Sequence, residues 1–188
     1  NKTRGLMRHS TEVKINDINL YILRDGKNTF TNDIFVETSD SEIEQLLLSN
    51  QRTVVETSFN AFLVKSSNEC ILIDAGAGEL FGSIAGNLEI ALRELGVSNS
   101  EITKLIVTHL HPDHIGGAID SQFKSIFTNA EFILSENEYN FWTNSANFTN
   151  QPGSQAHPLA VLDAYKANLS VTKKNSDLGL GLSTIDLP

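Results

Sequence analysis

Cysteine occurs once in this chain, at Cys70, so no internal disulfide braces the fold and no cysteine-rich structural zinc module can be built from it. The lone thiol precedes an apolar run and reads as a small buried residue. It leaves a cytoplasmic and a periplasmic or secreted setting equally open. No apolar stretch approaches the roughly 20 residues that a membrane-spanning helix requires. Basic residues are scarce: 14 Lys and Arg stand against 23 Asp and Glu, a net charge of −9. With no basic cluster, that balance argues against a nucleic-acid partner, which would need cations along a phosphate backbone. The chain has no Gly-x-Ser-x-Gly elbow, which disfavours a serine hydrolase. Gly76, Gly78 and Gly82 are spaced wrongly for a dinucleotide fingerprint. Repeats, low-complexity tracts and linkers are absent. What remains is a globular composition, expected to form a single domain over residues 1–188 with a flexible tail over residues 1–10.

The chemistry is concentrated in Thr108 to Gly117, Thr-His-Leu-His-Pro-Asp-His-Ile-Gly-Gly. Three of the five histidines, His109, His111 and His114, fall there beside Asp113. Imidazole and carboxylate together suit a borderline cation such as zinc. The run follows Leu105-Ile106-Val107, an apolar strand, so the polar groups emerge at a strand's carboxyl end, where open α/β sheets place their sites. Residues two apart on an extended path project to one side, which brings His109 and His111 together. Pro112 keeps Leu110-His111 extended. Asp113 and His114 lie beyond it and project to a second point, so two cation positions are predicted, each short of ligands. Gly116 and Gly117 allow a tight turn beside them.

The His-x-His-x-Asp-His-x-Gly-Gly run resembles the signature of the metallo-β-lactamase superfamily of hydrolases. Cys70 to Ile73, a strand followed by Asp74-Ala75-Gly76, matches a second element of that superfamily at the expected interval. The resemblance implies that Asp74 supports the metal loop without being a ligand. Ser58 to Val64, Gly78 to Gly82 and Glu138 to Trp142 are similar to the branch containing methyl parathion hydrolase and related lactonases. In that branch, aromatic residues at the positions of Phe141 and Trp142 line the substrate pocket; burial in the core is the competing reading. The implied fold is an αβ/βα sandwich, of which this chain would hold the N-terminal half or more. The resemblance also implies a third histidine, a bridging aspartate and a final histidine that this chain does not supply. Those ligands are expected on a segment after Pro188 or on a second chain, and a homodimer is a further possibility.

What the resemblance implies is a hydrolase with two divalent metal ions, most simply Zn2+. His109 and His111 would hold the first, and Asp113 and His114 the second. A bridging water, acidified by the metals, would attack a lactone, ester or organophosphate, a small neutral molecule. Asp113 would also steer a proton to the leaving group. A thioester hydrolase of the glyoxalase II kind is the alternative within the class. The alternative outside it is a non-catalytic metal-binding or interaction protein. His157, before Pro158, is expected to be solvated or to cap a helix.

Periodicity places the elements in an α/β order. Strands are predicted over 15–24, 59–65, 70–74, 104–108, 131–134 and 180–187, with a turn at Asp25-Gly26. Helices are predicted from a Ser41–Glu44 capping box to Leu48, over 84–95, from a Ser135–Glu138 capping box through Trp142, and over 158–169. Residues 144–156 read as a loop. Without its second half, one face of the sheet is expected to be left uncovered as an apolar patch.

Overall fold

The structure is a computed structural model and describes residues 9–16, 18–185 and 187. A seven-stranded sheet is its frame. The strands are β1 (Ser10–Ile15), β2 (Ile18–Phe30), β3 (Val55–Lys65), β4 (Cys70–Ile73), β5 (Lys104–Ile106), β6 (Glu131–Ser135) and β7 (Leu169–Thr172). They lie side by side in chain order, antiparallel from β1 to β4 and parallel from β4 to β7. A parallel neighbour needs a crossover, and the helices supply it. Helix α1 (Asp40–Ser49) lies between β2 and β3, α2 (Leu88–Glu94) between β4 and β5, and α3 (Pro112–Ile115) after β5. Helices α4 (Glu136–Thr143) and α5 (Ala156–Ala164) join β6 to β7, and a small hairpin of β8 (Asp177–Gly179) and β9 (Leu182–Ser183) follows. The architecture is α/β.

The alternation of side chains divides the sheet into two faces. Leu63, Leu72, Leu105 and Phe132 sit opposite one another across four strands, all fully buried. They pack against Leu88 and Leu92 of α2, Ile115 of α3, Trp142 of α4 and Val161 and Leu162 of α5. Each such buried side chain is worth roughly 1.5–3 kcal/mol of transfer free energy. On the other face Val64, Ile71, Ile106 and Ile133 are buried with Leu178 of the β8–β9 hairpin. Ile18, Leu20, Ile73, Leu180 and Leu182 are half-buried against them. The expectation of an open apolar face is therefore corrected: the chain's own hairpin covers much of it.

Several element boundaries also differ. The first predicted strand is two, β1 and β2, and Asp25-Gly26 is an irregularity inside β2 rather than a turn. The chain runs on because Asp25 turns inward: it is fully buried and accepts from the amides of Ala77 and Leu88 at 2.8 and 3.0 Å. The first capping box is Ser39 with Glu42, two residues early. The second predicted helix begins at Leu88 rather than Ile84, after a 3-10 turn over Gly82–Ile84. Residues 144–156 contain 3-10 turns at Ser145–Phe148 and Pro152–Gln155. The predicted 158–169 helix starts at Ala156 and ends at Ala164, and Leu169 opens β7, pairing in parallel with Phe132. The predicted final strand is the β8–β9 hairpin; Asp186 lies outside the described residues. Of the predicted tail, residues 1–8 lie outside the described residues. His9 is not free in solvent: its ring and amide both bond Glu94, at 3.0 and 2.9 Å.

Tyr165 ties the segment after the metal loop to α5. Its hydroxyl donates to the Ala118 carbonyl at 2.8 Å and accepts from the Phe127 amide at 3.2 Å. Burial pushes the phenol from 10.0 to about 12. The neutral form is the one the fold stabilises, so this contribution is complete below pH 10 and is lost as pH rises toward 12. Two pH units correspond to roughly 2–3 kcal/mol. Denaturant unfolding between pH 9 and 12 is expected to show stability falling above pH 10. That part of the slope should vanish in Tyr165→Phe; an unchanged slope would assign the loss to other groups.

Candidate metal centre

The metal loop begins where β5 ends. Val107 extends the pairing by donating to the Ile133 carbonyl, and Leu110, fully buried, points into the helical core. With Leu110 inward, its neighbours His109 and His111 both project the other way, and their rings lie 4.7 Å apart in an edge arrangement. His111 is extended (φ −74°, ψ 153°) and caps α3, with Pro112 at the first helical position. One turn of α3 then carries Asp113 and His114 back toward His109, whose ring centre is 3.9 Å from that of His114. The four side chains singled out in the sequence therefore gather at the carboxyl-terminal end of β5.

Asp74 sits at the end of β4, 3% exposed and with φ +60°. Its carboxyl accepts from the Thr108 amide at 2.8 Å, from the Thr108 hydroxyl at 2.9 Å and from Nδ1 of His114 at 2.8 Å. A hydroxyl has one proton to give. With that proton directed to Asp74, the 3.1 Å contact between Thr108 Oγ1 and Nδ1 of His109 is made by the ring N–H. In His114, whose Nδ1 faces a carboxylate, Nδ1 is thus the protonated nitrogen of the neutral ring and Nε2 keeps its lone pair; the Thr108 contact favours the same tautomer in His109. Nε2 of His114 lies 3.3 Å from Oδ2 of Asp113.

Electrostatics separate the histidines. Burial, and the facing His114 and His111, lower the pKa of His109 below the ordinary value. Burial alone would lower that of His114 too, but the hydrogen bond and charge of Asp74, with the charge of Asp113, raise it. Of the two rings His109 thus gives up a proton the more readily, and a cation at His114 competes with a proton held more firmly than on an ordinary imidazole.

The fit to metal is chemical but incomplete. The donors are the right kind, and a carboxyl holding a histidine by its second nitrogen is the usual support of a metal-binding imidazole. Among the described residues, however, no three His, Cys, Asp or Glu side chains close on one point as a cation cage.

Three supporting residues escaped the sequence reading. Thr108 looked like the last residue of a strand. Asp25 was hidden in a turn-like Asp-Gly pair. Glu138 looked like half of a capping box, but only Ser135 plays its part, accepting from the Glu138 amide at 3.2 Å. The predicted aromatics separate: Trp142 is 6% exposed and stacks on Phe148, whereas Phe141 is 48% exposed. The Trp142 ring stands 5.9 Å from that of His111, edge to face. His157 is a correction. It is half-buried in the first turn of α5 and makes no capping bond. Its ring bonds the Ile115 backbone, burial lowers its pKa, and its Nε2 has no partner among the described residues. It lines a cavity of about 670 Å3 behind the loop, with Gly116, Ile119 and Phe127; none of the four cluster side chains lines that cavity.

The family model of the metallo-beta-lactamase superfamily matches residues 56–184, a span containing the whole of this cluster. The chain belongs to that superfamily. Among solved structures it is similar to AidC, a dizinc quorum-quenching lactonase in complex with a product. The TM-score is 0.80 at 30% identity, covering 90% of this chain and 63% of that one. It is also similar to AbOPH, a hydrolase in the beta lactamase superfamily (TM-score 0.83, 26% identity, 91% and 63% covered). Anti-Pycsar protein Apyc1 of Saccharibacillus brassicae is 35% identical over 68 residues, 36% of this chain and 28% of that protein. The chain thus spans less than two thirds of the solved lactonase and little more than a quarter of that curated relative. The similarity to these solved structures agrees with the metallo-β-lactamase fold, a mixed α/β sheet with helices.

Proposed function

We propose that this metallo-β-lactamase-type chain serves a zinc-dependent hydrolase acting on a lactone, ester or organophosphate triester. His109 and His111 would hold one zinc ion, and Asp113 and His114 the other. The observation that carries this is the Asp74 clamp on Nδ1 of His114, which turns Nε2 toward Asp113 at 3.3 Å and sets the ring 3.9 Å from that of His109. The four donors supply part of a dinuclear site; the remaining ligands would come from a further segment or a second subunit, a homodimer included. Residues 1–188 form one domain in this reading.

Zinc held there supplies Lewis acidity and makes water available as a nucleophile at neutral pH. The chain's own residues do the rest. Thr108 and Asp74 fix ring tautomers and orientation. Asp113, half-buried at the surface of α3, takes up a proton at a carboxyl oxygen and delivers it to the leaving group. Phe141 offers an exposed aromatic face, beside buried Trp142, for the apolar part of a neutral substrate. A non-catalytic metal-binding role is the second reading.

Elemental analysis and a substrate panel test this together. Wild type completed by the segment or subunit that brings the remaining ligands is expected to retain zinc and to hydrolyse an N-acyl homoserine lactone, a p-nitrophenyl ester or a dialkyl p-nitrophenyl phosphate; residues 1–188 alone are expected to be inactive. His109→Ala with His111→Ala should lower zinc content and reduce turnover by at least about 100-fold, the scale on which metal-bound water matters. Unchanged zinc in the double variant would sink the assignment. Zinc lost with no substrate turned over by wild type would favour the non-catalytic reading. Zinc uptake by the stripped protein should weaken as pH falls through the raised His114 range, because the proton competes for Nε2.

A further inference from the structure

We infer that Glu138 is a positioning residue that sets the His109-Leu110-His111 segment and the Trp142 wall in register through one carboxyl oxygen. Oε2 of Glu138 accepts from the Leu110 amide at 2.9 Å and from Trp142 Nε1 at 2.9 Å. Leu110 lies between the two histidines proposed to share the first zinc, and its side chain is fully buried. Trp142 faces His111 edge-on at 5.9 Å. A single atom therefore fixes the backbone between the histidines and the indole beside one of them.

The position makes this costly for the helix. Glu138 is the third residue of α4, and a Glu there normally returns to the amide of the capping residue. Here Ser135 accepts from the Glu138 amide, but the carboxyl is committed across 28 residues of sequence to Leu110. A local preference given up in favour of a distant contact points to a requirement of the site. The loop amide between two histidines has no strand neighbour to pair with, so a side-chain acceptor must satisfy it.

The role is one of reach. Gln retains an oxygen at the same distance that can accept both bonds; Asp keeps the charge but falls one methylene short; Ala removes the acceptor. Trp142 is the only tryptophan, so its emission reports directly on this oxygen.

The inference rests on the proposed zinc site. Its test is a zinc titration of the chelator-stripped full chain, followed by calorimetry and by tryptophan emission. Glu138→Gln is expected to stay within about threefold of wild type in zinc affinity and to keep its emission. Glu138→Asp and Glu138→Ala should bind zinc about 10–100-fold more weakly, the usual loss when a group supporting metal ligands is removed. Their emission should shift and respond less to zinc. If Glu138→Ala does not fold, the contrast between Gln and Asp decides. A thermal midpoint that moves while zinc affinity does not would mean a purely structural role and overturn the inference. So would Gln behaving like Ala, because charge rather than reach would then be the cause. Wild type taking up no zinc would overturn the zinc site itself; wild-type uptake with equal affinities across the series would overturn only the role of Glu138.

Discussion

Asp74→Ala is expected to destabilise the metal-free protein by about 3–5 kcal/mol and to remove zinc uptake at the Asp113–His114 position. The size follows from what is orphaned. The Thr108 amide, the Thr108 hydroxyl and His114 Nδ1 all give their protons to this carboxyl. A buried donor left without a partner costs about 1–3 kcal/mol; Thr108 is exposed and His114 half-buried, so water recovers part of that loss. Alanine must also take φ +60°, a region that asparagine tolerates better. Asp74→Asn thus separates the two effects. It keeps the backbone conformation and one acceptor oxygen, but sets an NH2 group against groups that are themselves donors. Urea unfolding should place Asn between wild type and Ala.

The deficit also depends on pH. Asp74 raises the His114 pKa against the downward pull of burial. A histidine whose folded pKa is raised adds stability that is complete below its unfolded value and fades as pH rises through the folded one. The gap between wild type and Asp74→Ala should therefore be wider in acid than in mild alkali, on top of a constant loss from the Thr108 bonds. In a ring-proton NMR titration of the metal-free protein, His114 should titrate above the ordinary histidine range, and lower in the variant. A gap of constant width, or an unmoved His114, would show that the clamp does not act through this ring.

Gly116→Ala is expected to cost about 2–4 kcal/mol, at the upper end of what overpacking does, and to dislodge the loop from β4. A Cβ at Gly116 would lie 2.0 Å from the Ala77 carbonyl oxygen and 2.4 Å from its carbon. Those atoms are backbone and cannot swing away. The segments meet this closely because Ala75 donates to the His114 carbonyl at 2.7 Å and Gly117 to the Gly76 carbonyl at 3.2 Å. Forcing them apart breaks the second bridge and strains the first, which ends on His114 itself. Zinc affinity should fall with stability. Gly153→Ala is the control, since nothing lies within 4 Å of its Cβ. Equal melting temperatures for the two variants would show that the loop yields where the packing says it cannot.

How much of this was legible beforehand depends on how far each contact reaches along the chain. The histidine knot could be read at sight, because its residues fall within a six-residue run and an extended path followed by one helical turn leaves few ways to arrange them. The parallel core strands were also visible, as short apolar runs, with Leu72, Leu105 and Phe132 each flanked by a residue for the opposite face. Leu169 was misread as helical because Leu and Ala suit a helix locally, and only pairing with β6 makes that segment a strand. Asp25 was misread because Asp-Gly is a turn signal unless a distant amide claims the carboxyl. Glu138 was misread for a similar reason: its capping role was a local possibility, and its partner is remote.

Local chemistry in this chain thus decided the donor types, their spacing, the alternation that buries one side of each strand and the net negative charge. Tertiary structure decided which nitrogen of His109 and His114 carries the proton, which histidine is hard to deprotonate and what holds Leu110 in place. These depend on Asp74 and Glu138 arriving from another strand and a helix, Asp74 also fixing Thr108 beside His109. A hydrogen bond is directional and lasts over only about 3 Å, so such pairings come into being only when the sheet is assembled.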